Sequence, residues 1–374
     1  VDWKRELGGS YKDYLEDKAT RDPVMYVGAN DGMLHAFNAS NNTTGGTELF
    51  GFIPAGSLDH LASLADPNLL HRYYVDGAIT TSDVPSTSTG NWRTLLVGAT
   101  GAGGKSVFGL NVSNPGGFTA NDALWELSGS TINDLGMVMG KPIIVPIKGS
   151  SGRPRWVAIF GNGVNSDSGA PVLFVVDAND GTVLSRLKPT GADYAVRNGL
   201  MSVAPVALAN NDGIVDTVYG GDLQGNVWKF NLTETNPDNW TVAYSGAPLF
   251  TAKIGTVAQP ITGGIEVTTG PSGGVSILFG TGRYFAVGDN TVSANPPVQS
   301  LYGIWDNQSD DRITGRDMLV EQAISNVATS GGYDTRDVSN NLVTYGTKRG
   351  WYIDLKVGTF AKGERFIGTP RIQN

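Results

Sequence analysis

The feature that most constrains this chain is a phrase that keeps returning along it: a run of β-branched or aromatic residues closed by glycine. It appears as Val24-Met25-Tyr26-Val27-Gly28, then as Leu95-Leu96-Val97-Gly98 and Val157-Ala158-Ile159-Phe160-Gly161. Thr217-Val218-Tyr219-Gly220 and Ile277-Leu278-Phe279-Gly280 complete the series. The closing glycines recur at steps of roughly 60–70 residues, a period that marks a repeat architecture rather than a row of unrelated domains. A second phrase, a short extended segment with a proline or small residue, precedes most of them. Examples are Lys141-Pro142-Ile143-Ile144-Val145, Ser202-Val203-Ala204-Pro205-Val206, Gln259-Pro260-Ile261 and Thr369-Pro370-Arg371-Ile372, with Val75–Val84 as a looser version. One further repeat is expected in degenerate form between residues 300 and 345.

Each period has room for about four short strands, the content of one propeller blade, so the expected fold is an all-β, modified β-propeller of about seven blades. A proline near the start of a blade's first strand suits the strand that lines the central channel, which has no neighbour on that side to donate to. Glycine, 51 of 374 residues, supplies positive φ in tight turns such as Asn30-Asp31-Gly32 and Asn179-Asp180-Gly181. An array of β-sandwiches is the competing architecture. The propeller is expected to run from 22 to 374 as one domain, with 1–21 a polar lead-in joined to an upstream domain. Helices are expected only in insertions, at Ser57 to Ala65 and Arg316 to Ala328.

Composition removes several function classes. The net charge of -8, from 27 Lys+Arg against 35 Asp+Glu, with no basic run, argues against nucleic acid or anionic lipid as the main partner. No stretch approaches the roughly 20 apolar residues of a membrane-spanning helix. With no cysteine there is no disulfide, thiolate catalysis or Cys-ligated zinc, and the three histidines, His35, His60 and His71, show no paired ligand spacing. Gly-x-Ser-x-Gly is absent, and Gly101 to Gly104 lead into a strand-like segment, not the helix of a phosphate-binding loop. Gly315-Arg316-Asp317 is not an Arg-Gly-Asp motif. His35 and His71 are expected on strands with local hydrogen-bond partners, and Trp125, Trp228, Trp305 and Trp351 as packing between blades.

Four ordered motifs are more specific than the repeat. They are Asp22-Pro23-Val24-Met25-Tyr26-Val27-Gly28-Ala29-Asn30-Asp31-Gly32-Met33-Leu34-His35-Ala36-Phe37, His71-Arg72-Tyr73-Tyr74-Val75-Asp76-Gly77, Trp92 to Gly98 with Gly101 to Gly104, and Tyr219-Gly220-Gly221-Asp222-Leu223-Gln224-Gly225-Asn226-Val227-Trp228-Lys229-Phe230. Together they resemble the C-terminal β-propeller of the PilY/PilC family, the tip-associated adhesins and assembly factors of bacterial type IV pili, from about Asp22 to the end. The resemblance implies a quinoprotein-dehydrogenase-like shape without its chemistry. It also implies a location at the outer membrane, cell surface or pilus tip. Its implied partners are type IV major or minor pilins and a host-cell or abiotic surface. The implied role is non-enzymatic: pilus assembly against retraction, twitching motility and attachment.

The most informative loop is Leu208-Ala209-Asn210-Asn211-Asp212-Gly213-Ile214-Val215-Asp216. With Gly213 as the turn glycine of an EF-hand-like loop, Asn210 takes the third position, Asp212 the fifth, the Ile214 carbonyl the seventh and Asp216 the ninth. The resemblance implies a calcium loop here, before the Gly-Asp-Leu-Gln-Gly phrase. Leu208 replaces the aspartate expected first, and Tyr219 stands where a bidentate glutamate would close the shell, so affinity should be weakened. The reading without an ion is an Asn-Asn-Asp-Gly hairpin turn. Asp177-Ala178-Asn179-Asp180-Gly181 reads as a hairpin turn, and Asp306, Gln308 and Asp310 as an acidic surface loop. Asp222 and Gln224 read as caps on their own hairpin. The alternatives in function are a quinone-dependent dehydrogenase, against which stand the missing cysteines and the lack of an identifiable catalytic aspartate, and a generic propeller scaffold that binds peptides or glycans.

Overall fold

The fold was obtained as a computed structural model that describes residues 9–87, 89–150, 152–209, 212–330 and 333–373. A first sheet contains β1 (Val24–Gly28), β2 (Leu34–Asn38) and β3 (Glu48–Phe52). The second contains β4 (Ile79–Pro85), β5 (Trp92–Ala99), β6 (Ser106–Asn111) and β7 (Ala123–Ser128). The third contains β8 (Ile143–Ile147), β9 (Arg155–Gly161), β10 (Leu173–Asp177) and β11 (Val183–Leu187). The fourth contains β12 (Leu200–Val206), β13 (Thr217–Asp222), β14 (Asn226–Asn231), β15 (Thr241–Val242) and β16 (Phe250–Thr251). A hairpin of β17 (Lys253–Ile254) and β18 (Val257–Ala258) leads to the fifth sheet. That sheet holds β19 (Ile265–Thr269), β20 (Val275–Gly280), β21 (Ser300–Asp306), β22 (Val320–Ser330), β23 (Tyr333–Val338) and β24 (Gly350–Val357).

Four apolar clusters sit between successive sheets, and the period-2 alternation of strands explains how one strand feeds two of them. In β9, Trp156, Ala158 and Phe160 join the cluster shared with the second sheet, while Val157 and Ile159 join the one shared with the fourth. In β13, Val218 faces the third sheet and Tyr219 the fifth. A central strand buried on both faces must be apolar at every position, which is why the repeated phrase reads as an unbroken run.

Two of the glycines that close those runs, Gly28 and Gly161, make room for the chain entering the next sheet, whereas Gly98 and Gly220 are crowded by Phe108 and Leu200 of their own sheets. A Cβ on Gly161 would lie 2.4 Å from the carbonyl oxygens of Leu200 and Met201, where β12 begins. Gly28 meets the Val75 carbonyl oxygen at 2.3 Å in the same way, and Gly221, one residue past the glycine that closes its run, meets the Ile261 side chain at 2.5 Å. The turn glycines Gly32 and Gly181 do adopt positive φ, 96° and 76°. A second close approach recurs within sheets. Gly109 pairs in register with Trp125 and Gly303 with Trp351, and the indole lies where a Cβ would be, 2.2 and 2.5 Å away.

Apart from an isolated bridge between Ile147 and Val215, the first strands β4, β8 and β12 pair only with the second strand of their sheets, so Pro146 and Pro205 sit on edges where a missing N–H costs nothing, though near the ends of their strands rather than the expected start. Among the described residues there are five sheets of three to six strands, so the expected count of about seven four-stranded blades is not confirmed. The degenerate repeat expected at 300–345 is no separate sheet. Its strands belong to the fifth, where β24 inserts between β21 and β22 and runs parallel to β22.

Residues 316–328, expected as a helix, form one 3-10 turn at Arg316–Met318 and then β22, because pairing with β24 and β23 outweighs a weak helical pattern. The helix expected at Ser57 to Ala65 is present but begins earlier, at Ala55, with Pro54 rather than a serine at its N-cap and Ser57 buried inside it; it runs to Leu61 and continues as a 3-10 turn to Ala65. Contrary to the expectation of helices only in insertions, the lead-in itself holds α1 (Gly9–Lys18), which docks on the second sheet. Tyr11 packs on Trp92 with ring centroids 4.2 Å apart, the Tyr14 hydroxyl lies 2.7 Å from Thr94 Oγ1, and Lys18 pairs with Asp83.

Candidate functional site

The loop that joins β12 to β13 carries the predicted calcium ligands, and it is stitched to the neighbouring sheet. Val215 N–H donates to the Pro146 carbonyl at 2.8 Å, with Ile147 and Val215 in parallel bridge register. Asp216 N–H donates to the Val206 carbonyl and Leu232 N–H to the Asp216 carbonyl, which fixes the loop's exit on β14. Between this loop and the β8–β9 connection lies a cleft of about 410 Å³ lined by Ile147, Lys148, Arg153, Asp212, Ile214 and Asp216, among others.

Asp212, Ile214 and Asp216 are therefore brought to one cleft. Asn210 lies outside the described residues. Leu208 takes no part: its side chain packs against the cluster between the fourth and fifth sheets, beside Val206. A carboxylate at that position would have to leave apolar neighbours, which accounts for leucine where the ligand pattern expects aspartate.

Asp216 is nearly buried and already occupied by the chain. Its Oδ2 accepts N–H groups of Leu208 (3.0 Å) and Ala209 (2.7 Å), and its Oδ1 accepts the Thr217 hydroxyl (2.8 Å). Asp212 Oδ1 accepts the Ile214 N–H at 2.8 Å, the self-capping expected of an Asp two residues before an N–H. A carboxylate has about four acceptor sites, so Asp216 keeps roughly one for an ion and Asp212 more. The donors suit a hard cation in kind, two carboxylates and a carbonyl on alternating residues, but fall short of six to eight oxygens. Among the described residues no cluster gathers three His, Cys, Asp or Glu side chains around a metal-sized space.

The other candidates resolve into structure. Asp177 Oδ1 caps Asn179 N–H and Asp180 caps Thr182 N–H, a hairpin turn as expected. Asp222 is fully buried and accepts five donors: the N–H groups of Gln224 and Asn226 on Oδ1, and Asn198 Nδ2, Asn226 Nδ2 and Trp228 Nε1 on Oδ2. Burial pushes this carboxyl's pKa up, and the donors oppose that shift. Gln224 does not cap its hairpin; its amide reaches the carbonyls of Asp193 and Val196.

The acidic surface loop expected at Asp306 is a correction. Asp306 is fully buried and bound by the Tyr219 hydroxyl at 2.7 Å and Lys229 Nζ at 2.9 Å, both from the fourth sheet. Burial, then the Asp306 charge, hold the Tyr219 hydroxyl far above its ordinary pKa. Sequence reading missed Tyr219 and Lys229 as its partners, since nothing local links residues so far apart in the chain. His35 lies on β2 between Glu48 (2.7 Å) and Asp31 (2.8 Å), whereas His71 is on no strand.

Comparison with known proteins bears on the whole chain. A family model described as the PilY1 beta-propeller domain matches residues 3–324. A type IV pilus biogenesis factor PilY1 homolog of Xylella fastidiosa is 45% identical over 93% of this chain and 24% of its own length. The type IV pilus biogenesis factor PilY1 of Pseudomonas aeruginosa strain UCBPP-PA14 is 32% identical over 97% of this chain and 34% of its own length. The crystal structure of the Pseudomonas aeruginosa PilY1 C-terminal domain superposes with a TM-score of 0.81 at 31% identity, covering 97% of this chain and 77% of that one. The chain thus spans about a quarter to a third of the curated relatives it matches.

Proposed function

The chain belongs to the PilY1 β-propeller family, and on that premise we propose that it acts in type IV pilus biogenesis as a non-enzymatic module at the cell surface or pilus tip. The observation that carries this is agreement in sequence and fold together: 97% of the chain superposes on the PilY1 C-terminal domain with 31% identity. The finer reading is that it supports pilus extension against retraction, twitching motility and attachment, in contact with major or minor pilins.

The 208–216 loop is the proposed point of control. Asp212, Asp216 and the Ile214 carbonyl would hold a calcium ion weakly, with Asn210 as a further donor. The ion would supply positive charge that lets two carboxylates lie together on one wall of the cleft. The protein's own part is to hold that wall in register with the third sheet through the Val215–Pro146 hydrogen bond.

Deleting residues 22–374 from the encoding gene and scoring surface pili and twitching tests the reading. Loss of both, restored by complementation, supports it; normal piliation and motility would overturn it in favour of a scaffold with no pilus role.

A further inference from the structure

Among the described residues, the first sheet is one strand short on the side where the others begin. In the second to fifth sheets the apolar run closed by glycine is the second strand, β5, β9, β13 or β20, and a first strand, β4, β8, β12 or β19, pairs along its other edge. In the first sheet that run is β1, which pairs with β2 alone. Burial follows the pairing. β9 is buried from Trp156 to Gly161 and β13 throughout, whereas no residue of β1 is buried, and Met25 and Val27 are 55% and 39% exposed.

The hydrogen-bond register identifies the groups left over. Ala29 N–H donates to the Met33 carbonyl and Ala39 N–H to the Pro23 carbonyl, so Met25 and Val27 direct their backbone groups at β2. The N–H and C=O groups of Val24, Tyr26 and Gly28 point the other way, and among the described residues no backbone partner meets them. The third sheet shows what belongs there. Asn162 N–H donates to the Val172 carbonyl and Ala178 N–H to the Trp156 carbonyl, so Val157 and Ile159 direct theirs at β8, where Val145 and Ile143 pair with them.

We propose that β1 takes up an extended segment of a partner protein as an antiparallel first strand, and that this segment resembles β8: uncharged and rich in β-branched aliphatic residues, with a cation just ahead of it. With Gly161 transposed onto Gly28, the β8 register sets Ile143 against Tyr26, Val145 against Val24 and Lys141 against Gly28. Asp31 and Glu48, joined through His35 and each about half exposed, stand at that end and select the cation. Alternate apolar side chains of the segment lie beside Met25 and Val27. The edge of the second sheet, packed against the first, is β4, one strand beyond β1, so the slot admits a single segment and not the edge of a second folded copy.

The probe is a fluorescently labelled peptide with the sequence of residues 140–149, Gly-Lys-Pro-Ile-Ile-Val-Pro-Ile-Lys-Gly, added to the whole chain. Anisotropy reads affinity, and residue-resolved hydrogen exchange reads place. The amides of Val24, Tyr26 and Gly28 should exchange freely in the chain alone and slow in step with occupancy. N-methylating the peptide amides that correspond to Ile143 and Val145 should weaken binding about tenfold, the loss of two hydrogen bonds of ordinary net strength, whereas N-methylation at Ile144, whose amide faces away, should not.

Bound peptide that leaves the three β1 amides unprotected, or equal weakening by methylation at either set of positions, would overturn the proposal. Protection of those amides in the free chain that grows with protein concentration would assign the edge to a second copy instead. Protection independent of concentration would show an edge already filled, and either result removes the partner strand.

Discussion

Replacing Leu208 by aspartate probes the loop most sharply, because it exchanges a packing residue for the absent ligand. Leu208 is half-buried against the cluster between the fourth and fifth sheets. Full truncation of a buried leucine costs about 2–5 kcal/mol, so this half-buried one should cost about 1–2 kcal/mol in chelator. The third carboxylate adds repulsion with Asp212 and Asp216 in the same state. Calcium at a hundred times its Kd returns about 2.7 kcal/mol. Scaling the usual unfolding entropy per residue to this chain gives about 1.3 °C per kcal/mol, so calcium should raise the Tm of the variant by about 3–4 °C. The native chain should gain less. The assay is thermal unfolding with calcium or chelator, beside calorimetric titration. Asp212→Asn in the same background should remove most of the shift. Asp216→Ala is the poorer control, since it also strips the acceptor from Leu208, Ala209 and Thr217. No calcium-dependent Tm change and no heat with Leu208→Asp would refute the ligand alignment itself.

Three further expectations follow from buried or bridged charges. Asp222→Ala leaves five donors without their acceptor and should cost at least about 4 kcal/mol by denaturant titration, if only part of the 1–3 kcal/mol per orphaned group is realised. Lys229→Met leaves Asp306 buried with only neutral donors and should cost about 3 kcal/mol by the same measurement, whereas a double change to Lys229→Met with Asp306→Leu should cost less. The His35 pKa is raised, first by its hydrogen bond to Glu48 and then by Asp31, against a lowering from burial. Its clamp on β3 is thus full below the unfolded value of about 6.5 and lost as pH rises through the higher folded value. His35→Gln should therefore lower Tm more at pH 5.5 than at pH 9.

The blade strands were legible because burial on both faces leaves an unbroken apolar run, as in Val157 to Phe160. The hairpin turns at Gly32 and Gly181 were legible because positive φ selects glycine locally. What sequence alone hid was set by distant neighbours. The glycines at 28 and 161 read only as the close of an apolar run, yet they make room for the backbone that enters the next sheet. Residues 316–328 read as a helix until β24 supplied a parallel partner. Asp306 read as solvated because Tyr219 and Lys229 are brought to it only by stacking of the fourth sheet on the fifth. Asp212, Ile214 and Asp216 share one cleft that the sequence did not announce, and the reason for Leu208 became visible only with the core behind it.

The indoles that lie over Gly109 and Gly303 carry a consequence for how such chains can change. Adding even a methyl group at Gly109 displaces Trp125 from its hydrogen bond to the Ala178 carbonyl, 3.0 Å away, and so disturbs the third sheet as well as the second. Shrinking Trp125 instead opens a trough over a bare stretch of backbone. Each half of the pair makes the other intolerant of substitution, so the viable route between two sequences passes through both positions at once. Related chains should keep glycine and tryptophan together at 109 and 125, and at 303 and 351, or exchange both members of a pair.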